Sequence, residues 1–137
     1  WFAGMADASA LRAAASGLAA RTAHPDTFEP SSFVDADYDA LEGSWHALVT
    51  DTDAAQRHGP GGAIDDDMAF VQPWGFSLDD CAAPVVVVHG SRDRVIPVQH
   101  AHALSAALPN PRSVIQHGDG HVSALRALDV HLREVAC

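Results

Sequence analysis

Apolar and polar positions follow two different rules along this chain. From residue 5 to 21, alanines surround Met5, Leu11 and Leu18, with Arg12 and Arg21 outward, a pattern that predicts one helix. Gly4 and Gly17 weaken it slightly, and Ala23-His24-Pro25 ends it, because the residue before a proline avoids the helical region. A second helix is predicted from Asp35, with Tyr38, Leu41, Trp45 and Leu48 on one face. Asp35, Asp37 and Asp39 suit its first turn electrostatically. Gly59-Pro60-Gly61-Gly62 reads as a breaker, after which Asp65-Asp66-Asp67 offers an N-cap for a short helix ending at Val71, before Pro73.

The pattern changes near residue 83. Val85-Val86-Val87-Val88 is an unbroken β-branched run, which predicts a strand buried on both faces. His89 to Asp93 reads as a loop, and Pro97 suits the first turn of a helix whose apolar side is Ala101, Leu104, Ala107 and Leu108. Pro109-Asn110-Pro111 closes that helix, and Val114-Ile115 centres a second strand over 113–116. Gly118-Asp119-Gly120-His121 reads as a tight turn, and Leu125, Leu128 and Leu132 mark a last amphipathic helix over 122–135. A helix between two strands implies parallel pairing through a right-handed crossover. The expected class is α/β, with a helical segment and linker at 1–83 and a β-α-β-α unit at 84–137.

Charge narrows the partners. Eight basic residues, all arginine, stand against eighteen acidic ones, for a net charge of −10. Nucleic acid and an anionic membrane face are therefore not expected as partners. With 47% apolar and 19% charged residues the composition is that of a soluble globular protein. Cys81 and Cys137 form no C-x-x-C or zinc spacing and read as free thiols of a reducing, cytoplasmic compartment. The apolar run Cys81–Val88 is too short to span a bilayer, and the first residues lack a signal-peptide pattern.

Ligands of parallel sheets sit beyond the carboxyl ends of the strands. Two polar residues are expected there: Asp93, after the first strand, and His121, after the second. On adjoining strands, about 4.8 Å apart, their side chains can meet. A carboxylate fixes an imidazole in one tautomer, leaves its other nitrogen as a proton acceptor and stabilises the imidazolium formed later. The plainer reading is a surface histidine and a helix-capping aspartate.

These residues resemble a known family. Gly90, Asp93, Ile96 and Pro97 match the G-x-x-D-x-x-[VI]-P setting of the triad acid in α/β-hydrolases, and Gly120-His121 matches the G-H of the triad histidine. Pro73-Trp74-Gly75-Phe76-Ser77-Leu78 resembles the lead-in from cap to seventh strand in actinobacterial members. The resemblance covers about 84–135, while 1–72 is similar in kind to the helical cap. It implies the C-terminal part of an α/β-hydrolase fold, with Asp93 and His121 catalytic.

The nucleophile elbow of that family, G-x-S-x-G, is missing. Ser16, Ser91 and Cys81 all lack the paired glycines, and no oxyanion-hole loop follows an early strand. A first residue of Trp1 rather than Met fits the same expectation: a fragment, inactive alone, whose open strand edge awaits the N-terminal part of the fold or another chain. The resemblance implies a serine esterase acting on a small ester-like substrate, with no cofactor and no metal. An epoxide hydrolase or haloalkane dehalogenase, with an Asp nucleophile, keeps the same acid and histidine. A non-catalytic remnant or interaction module is the alternative from a different class.

Other features read as structural. His100 and His102 point to different helix faces, which disfavours a shared metal. Asp65-Asp66-Asp67 lacks the EF-hand spacing. Trp45, Phe70, Trp74 and Phe76 suit plain packing better than an acyl or alcohol pocket. Gly59–Gly62 carries a proline and no following lysine, unlike a phosphate loop.

Overall fold

A computed structural model describes residues 1–135; Cys137 lies outside the described residues, while Cys81 is a free thiol. Five helices come first: α1 (Ser9–Ala15), α2 (Leu18–Ala23), α3 (Asp35–Glu42), α4 (Ala47–Gln56) and α5 (Gly61–Val71). Strand β1 (Val85–Gly90), helix α6 (Val98–Ala107), strand β2 (Pro111–Gln116), a 3-10 turn at Ser123–Ala127 and helix α7 (Leu128–Val135) follow.

The N-terminal helices are more broken than their apolar periodicity predicts. The expected helix over 5–21 starts only at Ser9 and splits at Gly17, whose φ of +114° leaves the helical region. The predicted face Tyr38, Leu41, Trp45 and Leu48 is likewise divided, because Gly43 at φ −108°, ψ −118° separates α3 from α4. Asp65, Asp66 and Asp67 do not cap α5. That helix starts at Gly61, with Ile64 N–H already bonded to the Pro60 carbonyl at 3.0 Å. Proline at the entry supplies helical φ without needing a donor, so the glycines behind it are carried into the helix.

One ion cluster ties this part together. Arg21, only 1% exposed, donates from Nε to Asp67 Oδ2 and from Nη2 to Asp26 Oδ1, each at 2.5 Å. Burial alone would pull its guanidinium pKa down, but the hydrogen bonds from both carboxylates raise it. α2 is thereby fixed to α5, which also packs on α1.

β1 and β2 pair in parallel from Val85↔Pro111 to Gly90↔Gln116. Pro111 is tolerated as the first strand residue, where its missing N–H costs least. α6 connects the strands and covers them: Val87, Ala101 and Leu108 form the buried core, flanked by Leu78, Cys81, Val85, Leu104 and Ile115. Each buried Val or Leu side chain contributes about 1.5–3 kcal/mol. The strand is not buried on both faces as its valine run predicts. Val87 is buried, but Val85, Val86 and Val88 are half-buried, because the described sheet has only two strands. The fold is a mixed helix and strand arrangement compatible with part of an α/β-hydrolase. No described helix is long and apolar enough to cross a membrane.

Candidate active site

Parallel register puts the carboxyl ends of β1 and β2 side by side, so the two following loops leave the sheet together. Backbone bonds then stitch them. Ser91 N–H donates to the Gln116 carbonyl at 2.9 Å, and Arg92 N–H donates to the Asp119 carbonyl at 2.8 Å. Gly118 N–H donates to Ser91 Oγ at 3.1 Å. The loop after β1 and the turn after β2 thus form one unit through these bonds.

Asp93 sits in that unit with its carboxylate fully employed. Oδ1 accepts from Val95 N–H and Ile96 N–H, both at 2.9 Å. Oδ2 accepts from His121 Nδ1 at 2.9 Å. A carboxylate oxygen only accepts, so Nδ1 carries the proton and Nε2 is left as the basic nitrogen. The Asp93 side chain is 4% exposed and that of His121 41%, which places the carboxylate inside and the imidazole at the surface. The hydrogen bond from Asp93 raises the His121 pKa above its ordinary 6.5; desolvation opposes the shift, and the charges of Asp93 and Asp37 add to it.

His89 is a neighbour that its sequence position did not single out. Its Nε2 donates to the Ile96 carbonyl at 2.7 Å and lies 3.5 Å from Asp93 Oδ2. It thus closes the acid loop from the strand side. Asp37, expected only to suit the first turn of α3, is wholly buried. Its Oδ2 accepts from Val34 N–H at 3.1 Å, closing the start of the helix. Its Oδ1 accepts from Val122 N–H at 2.9 Å, and from Ser123 N–H and Ser123 Oγ, both at 2.8 Å. The sequence pattern places Asp37 in the first turn but reveals neither the bond to Val34 nor the partners 85 and 86 residues away.

No G-x-S-x-G elbow accompanies this pair in the sequence. Among the described residues, no group of three or more His, Cys, Asp or Glu side chains is arranged to hold a metal ion. His100 of the H-x-H pair is engaged with Trp1, through a 2.8 Å contact to its carbonyl and a ring centroid distance of 4.2 Å. An open cleft of about 1180 Å³ is lined by Trp1, Phe70, Trp74 and Phe76 among others, but by neither Asp93 nor His121. Trp74 and Phe76 stack on each other there, each more than half exposed, and Trp45 is not among the lining residues.

Paired strand ends carrying an acid and a histidine are compatible with part of a hydrolase fold, and comparison with known sequences bears on the class. Residues 70–130 match the TAP-like protein family, which places the chain in the α/β-hydrolase superfamily, in the C-terminal region of the fold. An uncharacterized protein of Mycobacterium bovis and uncharacterized proteins of two Mycobacterium tuberculosis strains are each 44% identical over 48 residues. The matched stretch is 32% of this chain and 14% of each relative, so the chain covers a small part of their length. No solved structure matches the chain.

Proposed function

We propose that Asp93 and His121 are the acid and general base of a serine-type carboxylic ester hydrolase, whose nucleophile and oxyanion hole lie outside this sequence. The observation that carries the reading is the 2.9 Å Nδ1 to Oδ2 bond between a buried carboxylate and a partly exposed imidazole. In the whole enzyme a serine hydroxyl attacks the ester carbonyl carbon and passes its proton to His121 Nε2. The same proton goes to the alkoxide as the C–O bond breaks, leaving an acyl-enzyme that water hydrolyses by the reverse proton path. Asp93 holds the tautomer and steadies the imidazolium.

Residues 1–83 act as a helical cap segment on this reading, and 84–137 as the end of the core. The chain alone is inactive, and its open strand edge pairs with the rest of the fold. The substrate is a small ester-like molecule, and no cofactor or metal is required.

The test extends the chain upstream of Trp1 with its own coding sequence. A fluorophosphonate probe should label a serine in the extended protein. Hydrolysis of p-nitrophenyl acetate should fall by about 10³-fold or more in His121→Ala. Turnover by the chain alone that depends on His121 would overturn the missing-nucleophile argument. Covalent trapping on an upstream aspartate instead of a serine would assign the epoxide hydrolase or dehalogenase chemistry. A folded extended protein with neither would leave an interaction module.

A further inference from the structure

Asp37 closes the start of α3 through its bond from Val34 N–H, and that capping needs only one of its oxygens. On an isolated α3 the other oxygen would face water. Here it is buried and surrounded by donors from the His121 turn.

The arrangement brackets one residue. Val122 N–H and Ser123 N–H, directly after His121, bond to Asp37 Oδ1. Gly120 N–H, directly before His121, donates to Ser123 Oγ at 2.7 Å, and that hydroxyl donates in turn to Asp37 Oδ1. The backbone on both sides of the histidine is therefore held by one carboxylate. Gly120 is what lets it approach. A β-carbon there would lie 2.7 Å from Asp37 Cγ and 2.7 Å from Val34 Cγ2, too close for either group to stay. Arg126 reinforces the same junction by donating from Nη2 to the Ala36 carbonyl at 2.9 Å. The buried anion is solvated by four protein donors, an arrangement that fixes position because none of them can be exchanged for water.

We infer that Asp37 is a positioning residue for His121: its carboxylate, delivered by α3 of the N-terminal helical segment, sets the backbone that aims the imidazole at Asp93. The inference rests on the proposed role of the Asp93–His121 couple. It makes that couple depend on a segment far away in sequence, so a change of helical segment would retune the base.

The test uses proton NMR on the full chain, reading the downfield Nδ1 proton of a carboxylate-bound imidazole. Wild type should give this signal, and both Asp93→Asn and His121→Ala should abolish it. Asp37→Asn keeps the shape, but places an amide donor against a backbone N–H or loses its bonds on the other side. At a temperature where circular dichroism shows it folded, its His121 Nδ1 proton should exchange with water about 10-fold faster or more, with Asp93 intact. Ser123→Ala removes the bridge to Gly120 while keeping the anion. It should shift exchange in the same direction, and it decides the matter if Asp37→Asn does not fold. A folded Asp37→Asn with wild-type exchange, or an unfolded one alongside a wild-type-like Ser123→Ala, would overturn the role. Absence of the signal in wild type would sink the couple itself, and the inference with it.

Discussion

Gly90 ends β1 directly against the backbone of Asp119: a β-carbon at position 90 would lie 2.5 Å from the Asp119 carbonyl oxygen. That carbonyl is fixed, because it accepts the Arg92 N–H that joins the two loops. Gly90→Ala should therefore destabilise the protein by about 1–3 kcal/mol, since backbone cannot swing aside as a flexible side chain could. Gly118→Ala is the contrasting variant. It has open space around it but a φ of +86°, so its cost, about 1–2 kcal/mol, should come from conformation alone. Urea melts read both. Only Gly90→Ala should also disturb the His121 Nδ1 proton, and wild-type stability for that variant would refute the close approach.

The Asp93–His121 bond has a signed pH consequence. His121 has a folded pKa raised above its ordinary 6.5 by the bond to Asp93. Its contribution to stability is therefore fully present below the unfolded value and is lost as pH rises through the folded one. Asp93→Asn should lower the His121 titration midpoint and flatten stability across that window. NMR titration of the imidazole and melts taken on both sides of the window check it. On the proposed general-base role His121 must be neutral to act, so the rising limb of the proposed esterase activity should lie above the ordinary histidine value and move down in Asp93→Asn. An unchanged midpoint would mean that Asp93 does not hold the imidazole.

Asp37 carries the opposite sign. Burial pushes its pKa up, but hydrogen bonds from Ser123, Val34 and Val122 outweigh that and hold it below the ordinary 3.8. Its stabilisation is present above the unfolded value and is lost as pH falls through the depressed folded one. Asp37→Ala leaves three backbone N–H groups and a hydroxyl unpaired in the interior, and should cost on the order of 3 kcal/mol or more near neutral pH. The deficit should shrink in acid. Guanidinium melts at neutral pH and below 3.8 compare the two, and a deficit that does not vary with pH would show that the ionised carboxylate is not what the site uses.

What was legible in the sequence follows from distance along the chain. β1, α6 and β2 are written in local runs, so Val85–Val88, the Ala101–Leu104–Leu108 face and Val114-Ile115 predict them, with ends displaced by a few residues. Asp93 and His121 could be placed together because strand ends follow from topology, and their bond confirms the contact while leaving the chemistry to experiment. The breaks at Gly17 and Gly43 were less legible, because alanine periodicity runs straight across them and a glycine costs a helix only about 1 kcal/mol. Asp37 and His89 were invisible as site residues. Each does what a local pattern also explains, a helix start or a strand end, and only the fold reveals the second partner.

Arg21 tests how α2 is held to α5. The guanidinium is buried, while the Asp26 side chain is 44% exposed and that of Asp67 20%. Breaking a fully buried pair costs about 3–5 kcal/mol, and the exposure of Asp26 discounts one of these two bonds toward the small value of a surface pair. Arg21→Met, which keeps most of the volume, should therefore cost about 2–3 kcal/mol, chiefly by stranding Asp67 beside an apolar side chain. Removing that charge as well, in Arg21→Met with Asp67→Asn, should recover part of the loss, and a double-mutant cycle should return a coupling of about 1 kcal/mol or more. Additive losses would mean that Arg21 packs rather than pairs. Because α2 and α5 pack chiefly on each other and on α1, the folded Arg21→Met protein should keep the His121 Nδ1 proton of wild type, whereas the Asp37 variants should not.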